Sequence, residues 1–224
     1  VAVCALVGVL VEILAYRPVR KAGPMSALIT ALAMSIFLEN LAMVLFGAKP
    51  HNVQAIFSLP TITVGGVSLP LNVLLTIGIG VAMMLCMQLF VKKTKLGKAM
   101  RAVPQDKDAS TLVGINVNKI ITLTFAIGSG LAAIAGVLLC SAYPTLMPTT
   151  GSMPGIKAFT AAVFGGIGSI PGAMIGGILL GIIEIFSKAY ISTQLSDAIV
   201  FAVLIVVLIV KPDGLLGKHV SEKV

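Results

Sequence analysis

Acidic side chains are scarce enough in this sequence to be weighed one at a time. Eight of its 224 residues are Asp or Glu, and Glu39, beside Asn40, falls in the middle of a long apolar run, "SIFLENLAM". A carboxylate in such surroundings is costly unless it faces protein, water or a partner. Two readings are open: the pair meets a cargo's ammonium directly or through water, or it is a protonated or hydrogen-bonded packing element. Glu184 and Lys188 stand four apart in the favourable Glu-before-Lys order and read as a local ion pair. Glu12 lies one turn before Arg17, Arg20 and Lys21 and reads as an interfacial partner for one of the arginines. Asp106 and Asp108 belong to a polar stretch, "TKLGKAMRAVPQDKDASTLVG", residues 94–114. Other chemistry is missing from the pattern. His51 and His219 lie outside the apolar runs, and no nucleophile–base–acid set, metal-ligand spacing or GxxxxGK[ST] loop occurs. Cys4, Cys86 and Cys140 sit within apolar runs as packing residues, spaced for neither disulfides nor a metal. The chain is therefore expected to be no enzyme and to hold no cofactor of its own.

The surroundings of these residues set the class. The chain is 58% hydrophobic and 11% charged, with a mean hydropathy of +1.08, against about 25% charged in a soluble domain. Several apolar runs reach the roughly 18–20 residues that cross a hydrocarbon core of about 30 Å. The expected fold is an all-α polytopic integral membrane protein, a helical bundle organised as one transmembrane domain over 1–217 with a polar loop at 92–118 and a tail at 218–224. Spans are expected over 1–15, 25–47, 71–91, 119–142 and 195–210, with a short hairpin at Gly65-Gly66. The stretch 157–189 reads as two segments broken at "GGIGSIPG". Val1 already lies inside an apolar segment without a basic leader or cleavage site; it reads as the end of a longer helix, with earlier spans missing.

The net charge of +8 suits membrane topology better than nucleic acid, because the basic residues gather at span ends with no aromatic interleaving. Arg17, Arg20, Lys21, Lys92, Lys93, Lys95, Lys98, Arg101, Lys107, Lys119, Lys211, Lys218 and Lys223 fall on one side, leaving Lys49, Lys157 and Lys188 opposite. The rule that basic loops stay inside puts the polar insert and the C-terminus in the cytoplasm. Residues 157–168 must then cross most of the membrane, although a dozen residues make only about 18 Å of helix. The break, with Gly165, Gly166, Gly168 and Pro171, either interrupts the helix along a translocation path or is a tight turn at the cytoplasmic surface. Small residues at fourfold spacing (Gly128, Ala132, Gly136; Gly172, Gly176; Gly177, Gly181) suit close helix packing in lipid. A formal dinucleotide fingerprint at Gly128–Ala133 has no βαβ context and is discarded.

Within the insert, Pro104 can open a helix, Asp106 and Asp108 favour its positive end, and Gly114 can stop it. One short helix, Pro104 to Val113, is expected between two spans, suited to dock in a groove on another protein. At Asp108-Ala109-Ser110-Thr111-Leu112-Val113-Gly114 the chain resembles the coupling loop of permease subunits of bacterial ABC importers. Aspartate stands for the usual glutamate and serine for the second alanine. A closer resemblance is to high-affinity branched-chain amino acid permeases of the LivH type. It is carried by "GKAMRAVPQDKDASTLVGINVNKI", "AFTAAVFGGIGSIPGAMIGGILLGIIE", "KPDGLLG" and "YRPVRKAGPMSALITALAMSIFLENL", and the family's early Asn-Phe-Ala-His-Gly segment is absent.

The resemblance implies a bacterial inner-membrane assembly of two permease subunits, cytoplasmic ATP-binding subunits that bind the ATP, and a periplasmic substrate-binding protein. Arg101, Asp108, Ala109 and Gly114 are then expected to couple to the ATPase. Glu39, Asn40, Gly165, Gly166, Gly168 and Pro171 are candidates for the path. Relatives carrying urea, short amides or sugars keep the substrate open. A proton-coupled secondary transporter using Glu39 and a structural or assembly membrane protein are the rival classes.

Overall fold

The computed structural model describes residues 1–20, 22–52, 61–64 and 67–217; Lys21, the Gly65-Gly66 loop and the tail at 218–224 lie outside them. Among the described residues, five helices are long and apolar enough to cross a membrane: Ala2–Val19, Met25–Phe46, Leu71–Lys93, Val117–Ala142 and Ile170–Tyr190. The protein is an all-α polytopic membrane protein, and the strands among the described residues are four short pieces. Its contacts divide it into two compact units, Val1–Met83 with Leu89–Gly151, and Met84–Gln88 with Ser152–Val224.

In the first unit, α1 (Ala2–Val11) runs into a π-helical turn (Glu12–Tyr16) and a last turn, α2 (Arg17–Val19). Pro18 has no N–H and its ring crowds the carbonyl four residues back, so the wide turn falls where the regular ladder has to adapt. Helix α3 (Pro24–Phe46) begins on Pro24 after Gly23 and ends at Gly47, both glycines at positive φ. Strand β1 (His51–Asn52) pairs antiparallel with β4 (Thr145–Leu146). Strands β2 (Thr61–Val64) and β3 (Val67–Pro70) pair antiparallel, with Val64 opposite Val67. Helix α4 (Leu71–Lys93) leads to two short helices, α5 (Lys95–Ala102) and α6 (Lys107–Leu112), and then to α7 (Val117–Ala142).

The first span lies against α7. A Cβ at Gly8 would stand 1.9 Å from Ser129 Oγ, and the Tyr16 and Phe125 rings meet at 4.9 Å. The small-residue stripe expected at Gly128, Ala132 and Gly136 is not what brings these helices together. Gly128 and Gly136 face open space: Gly128 is about 100° round the helix from Ser129, and Gly136 lies beyond Gly130, the glycine that Val1 touches.

In the second unit, α8 (Ser152–Gly165), α9 (Ile170–Tyr190) and α10 (Ser196–Val210) surround a core of Ala161, Phe164, Leu180 and Val200. The fourfold spacing works here at one of its two pairs. A Cβ at Gly176 would come within 2.6 Å of Ala161 O, and one at Gly172 within 2.4 Å of Gly165 O, whereas Gly181 faces open space. Helix α8 starts at Ser152, five residues before the expected boundary, because "SMPG" joins it as its first turn. Its 14 residues still make only about 21 Å.

Candidate functional site

The insert folds in two steps. Thr94 caps α5, its hydroxyl oxygen accepting the Gly97 N–H at 3.0 Å, and Gly97 lets α5 fold back on α4, since a Cβ there would be 2.4 Å from Val91 Cα. Ala99, Val103 and Ile120 form a small buried cluster with Met100, Ile115, Val117 and Ile121 around it, which seats α5 on the start of α7. Helix α6 follows after a turn. The single helix expected from Pro104 to Val113 is therefore corrected to two, with Pro104 in the connection. The reason is Asp106: its Oδ1 accepts the N–H groups of both Asp108 and Ala109 at 2.9 Å, which makes it the cap outside the helix instead of a first-turn residue. The spacing of Ala99, Met100 and Val103 behind the Thr94 cap was the signal for the missed helix.

Gly114 ends α6 as expected. At φ +84 it donates to Thr111 O at 2.9 Å, and Ile115 donates to Ser110 O at 3.0 Å, the paired bonds of a glycine-terminated helix. Ser110 faces inward, buried, its hydroxyl donating to Asp106 O at 2.6 Å. The other side is open: Arg101, Asp108, Ala109 and Gly114 are all exposed. Two apolar side chains share that exposure, Leu112 at 88% and Val113 at 81%, and no sequence pattern marks them apart from the other apolar residues.

Glu39 is half-buried and Asn40 exposed, on a helix with no buried residue among those described. Asn40 Nδ2 donates to Ile36 O of its own helix at 2.7 Å. Gly165, Gly166, Gly168 and Pro171 belong to the other unit. There the break is a four-residue turn with Gly166 at φ +106 and Gly168 at φ +90. Ser169 caps α9, its Oγ accepting the Gly172 N–H at 3.2 Å, and Pro171 sits in the first turn. The segment after α10 folds onto this turn: Leu215 donates to Phe164 O at 2.9 Å and Leu216 to Gly165 O at 3.0 Å, satisfying carbonyls at the end of α8 that have no partner within the helix. A Cβ at Gly166 would be 2.4 Å from Gly217 N, and one at Gly214 2.6 Å from Gly166 Cα. "GGIGSIPG" and "KPDGLLG" are thus two halves of one contact, which no local pattern announces.

Two charged groups are larger than the sequence suggested. Glu12 is fully buried and pairs with Arg20, as expected, but its second oxygen also accepts from Thr122 Oγ1 at 2.7 Å, and Arg20 Nη1 donates to Asn118 Oδ1 at 2.8 Å. Glu184 and Lys188 do pair, and Lys157 Nζ adds bridges at 2.8 Å to both Glu184 and Asp197, tying α8, α9 and α10. Among the described residues no group of three or more His, Cys, Asp or Glu could hold a metal ion.

The family described as "Branched-chain amino acid transport system / permease component" matches residues 1–208. The high-affinity branched-chain amino acid transport system permease protein LivH of Escherichia coli K12 is 44% identical over 220 residues, 96% of this chain and 71% of that protein. BraD of Pseudomonas aeruginosa, a permease protein of the same description, is 42% identical over 221 residues, 97% and 72% of the two chains. The ribose import permease protein RbsC of Escherichia coli K12 is more distant, 29% identical over 168 residues, 72% and 52%. No solved structure matches. The similarity runs through both compact units and the insert, and the chain belongs to the family of permease components of branched-chain amino acid transport systems.

Proposed function

We propose that this chain is a membrane-spanning permease subunit of an ABC importer that moves branched-chain amino acids inward across the bacterial inner membrane, driven by ATP hydrolysis on a separate subunit. The observation that carries the coupling role is the form of α6: a capped, glycine-terminated helix that buries Ser110 and turns Leu112 and Val113 outward. On a soluble surface, exposed apolar side chains beside a close-approach glycine suit a partner's groove. Asp108 meets a basic or hydrogen-bonding group there, Ala109 and Gly114 allow the backbones to approach, and Arg101 flanks the contact from α5. Identities of 44% and 42% to amino acid permeases against 29% to a ribose permease support amino acids over sugars.

The charge distribution puts the insert and the C-terminus in the cytoplasm. ATP-binding subunits would engage α6 from that side, a second, homologous permease subunit would complete the pore, and a periplasmic binding protein would deliver the substrate. Glu39 and Asn40 are proposed to border the path. Gly165, Gly166, Gly168 and Pro171 are proposed separately as path residues of their own unit, where their turn packs against the segment that follows α10.

The test is a pulldown of the assembly from detergent-solubilised membranes, comparing wild type with an Asp108→Arg, Gly114→Asp double variant and assaying the eluate for ATPase. Co-purifying ATPase with wild type and its loss in the variant is the expected result. No ATPase with either form refutes the importer reading and turns attention to Glu39 and proton coupling.

A further inference from the structure

The insert is flanked covalently by α4 and α7, whereas the first span ends at Val19, well before α5 begins at Lys95. Movement of the insert reaches that span only through side-chain contact. At the insert end of α7 this contact is the group built on Glu12. We propose that Glu12, Arg20, Asn118 and Thr122 are the linkage that transmits displacement of the insert to the first span; the inference rests on the docking role proposed above for α6.

The geometry runs without a gap. Helix α6 ends on Gly114, and Ile115 packs with Val117 and Ile121 onto the Ala99, Val103 and Ile120 cluster, so the insert and the first turns of α7 share one hydrophobic seat. Asn116 caps α7, its Oδ1 accepting the Lys119 N–H at 3.1 Å. Two residues on, Asn118 accepts from Arg20, and one turn further Thr122 donates to Glu12. Each member of the Glu12–Arg20 pair therefore holds α7 by its own bond. The acid sits on the π-helical turn, a local irregularity of a kind frequent at functional sites. Parting the first span from α7 would break both of these bonds at once, each made to a member of the ion pair and therefore stronger than a neutral hydrogen bond. Beyond the group, away from the insert, Tyr16 meets Phe125 and Gly8 lies close to Ser129. These four are positioning residues: they act on the path through the helices they join.

The clean perturbation is Asn118→Ala with Thr122→Val, which removes both bonds to α7 while leaving Glu12 paired with Arg20 and therefore no orphaned buried charge. The complete assembly, reconstituted in liposomes with wild type and Gly114→Asp as controls, is assayed for bound ATPase subunit, ATP hydrolysis and amino acid taken up per ATP. The expected result is retained ATPase binding and hydrolysis within twofold of wild type, with uptake per ATP reduced fivefold or more. Uptake per ATP within twofold of wild type overturns the linkage and leaves the docking role intact. Loss of bound ATPase in the double variant alone also overturns it, since the group would then only support the docking surface. Absence of ATPase from wild type overturns the docking role and the linkage together. Should the double variant fail to reach the membrane, each single variant, which keeps one of the two bonds, is read against the same limits.

Discussion

Leu112 offers a perturbation whose cost falls on binding and spares folding. Its side chain is 88% exposed, so replacing it with serine removes almost no packing within the chain, and the Asp106 cap and Gly114 termination of α6 are left in place. Full burial of a leucine side chain is worth about 1.5–3 kcal/mol, and nearly all of that is still to be gained when a partner covers it. At 1.4 kcal/mol per tenfold change, Leu112→Ser should weaken the affinity for the ATP-binding subunit by about 10- to 100-fold. Val113→Ser, from a position 81% exposed, should act in the same direction by a smaller factor. The assay is titration of purified ATP-binding subunit onto the permease in nanodiscs, with thermal stability measured on the same samples. An affinity within twofold of wild type, with stability unchanged, would refute the assignment of this surface.

Three further outcomes are expected. Gly165→Ala, whose Cβ would stand 2.0 Å from Gly172 O, should destabilise the solubilised protein by about 1–3 kcal/mol, as overpacking does, while Gly181→Ala, facing open space, should leave its melting temperature within about a degree. Lys157→Ala should cost about 1–3 kcal/mol, between the 0–1 of an exposed pair and the 3–5 of a buried one, because it removes the bridges to Glu184 and Asp197 together; denaturation midpoints measured in low and high salt check both the size and its screening. A cysteine placed at half-exposed Leu216 should react with a membrane-impermeant maleimide in inverted vesicles and not in intact spheroplasts, and the reverse pattern would invert the topology.

The sequence made the spans legible because membrane crossing imposes a length and a hydropathy that local composition displays. Gly114 and the Gly165–Pro171 interruption were legible for a similar reason: both depend on what a glycine or proline allows its own backbone. That Glu12 pairs with Arg17 or Arg20 was legible because both arginines follow it within a few residues; that the partner is Arg20 was not. Nor was Thr122, since its bond to Glu12 depends on how α1 lies on α7. The same limit hid Lys157, which had shown only as a charge on the less basic side, and the capping of α8 by Leu215 and Leu216 from fifty residues away. In the insert two local signals compete: Pro104 can open a helix, but the Asp106 side chain caps more strongly and sets the start of α6 at Lys107.

The three-helix unit of α8, α9 and α10 is fastened by different chemistry at its two ends. At the glycine turn the fastening is main chain to main chain, Leu215 to Phe164 and Leu216 to Gly165, which neither proton concentration nor salt titrates. At the other end it is the Lys157 hub, made of ionised groups that are only partly shielded and whose attraction weakens as the screening length shortens, to about 3 Å at 1 M salt. The unit is therefore shaped like tongs: the pivot is indifferent to the medium, and the tips respond to it. Raised salt is expected to loosen the Lys157 end first, on the side opposite the C-terminal segment.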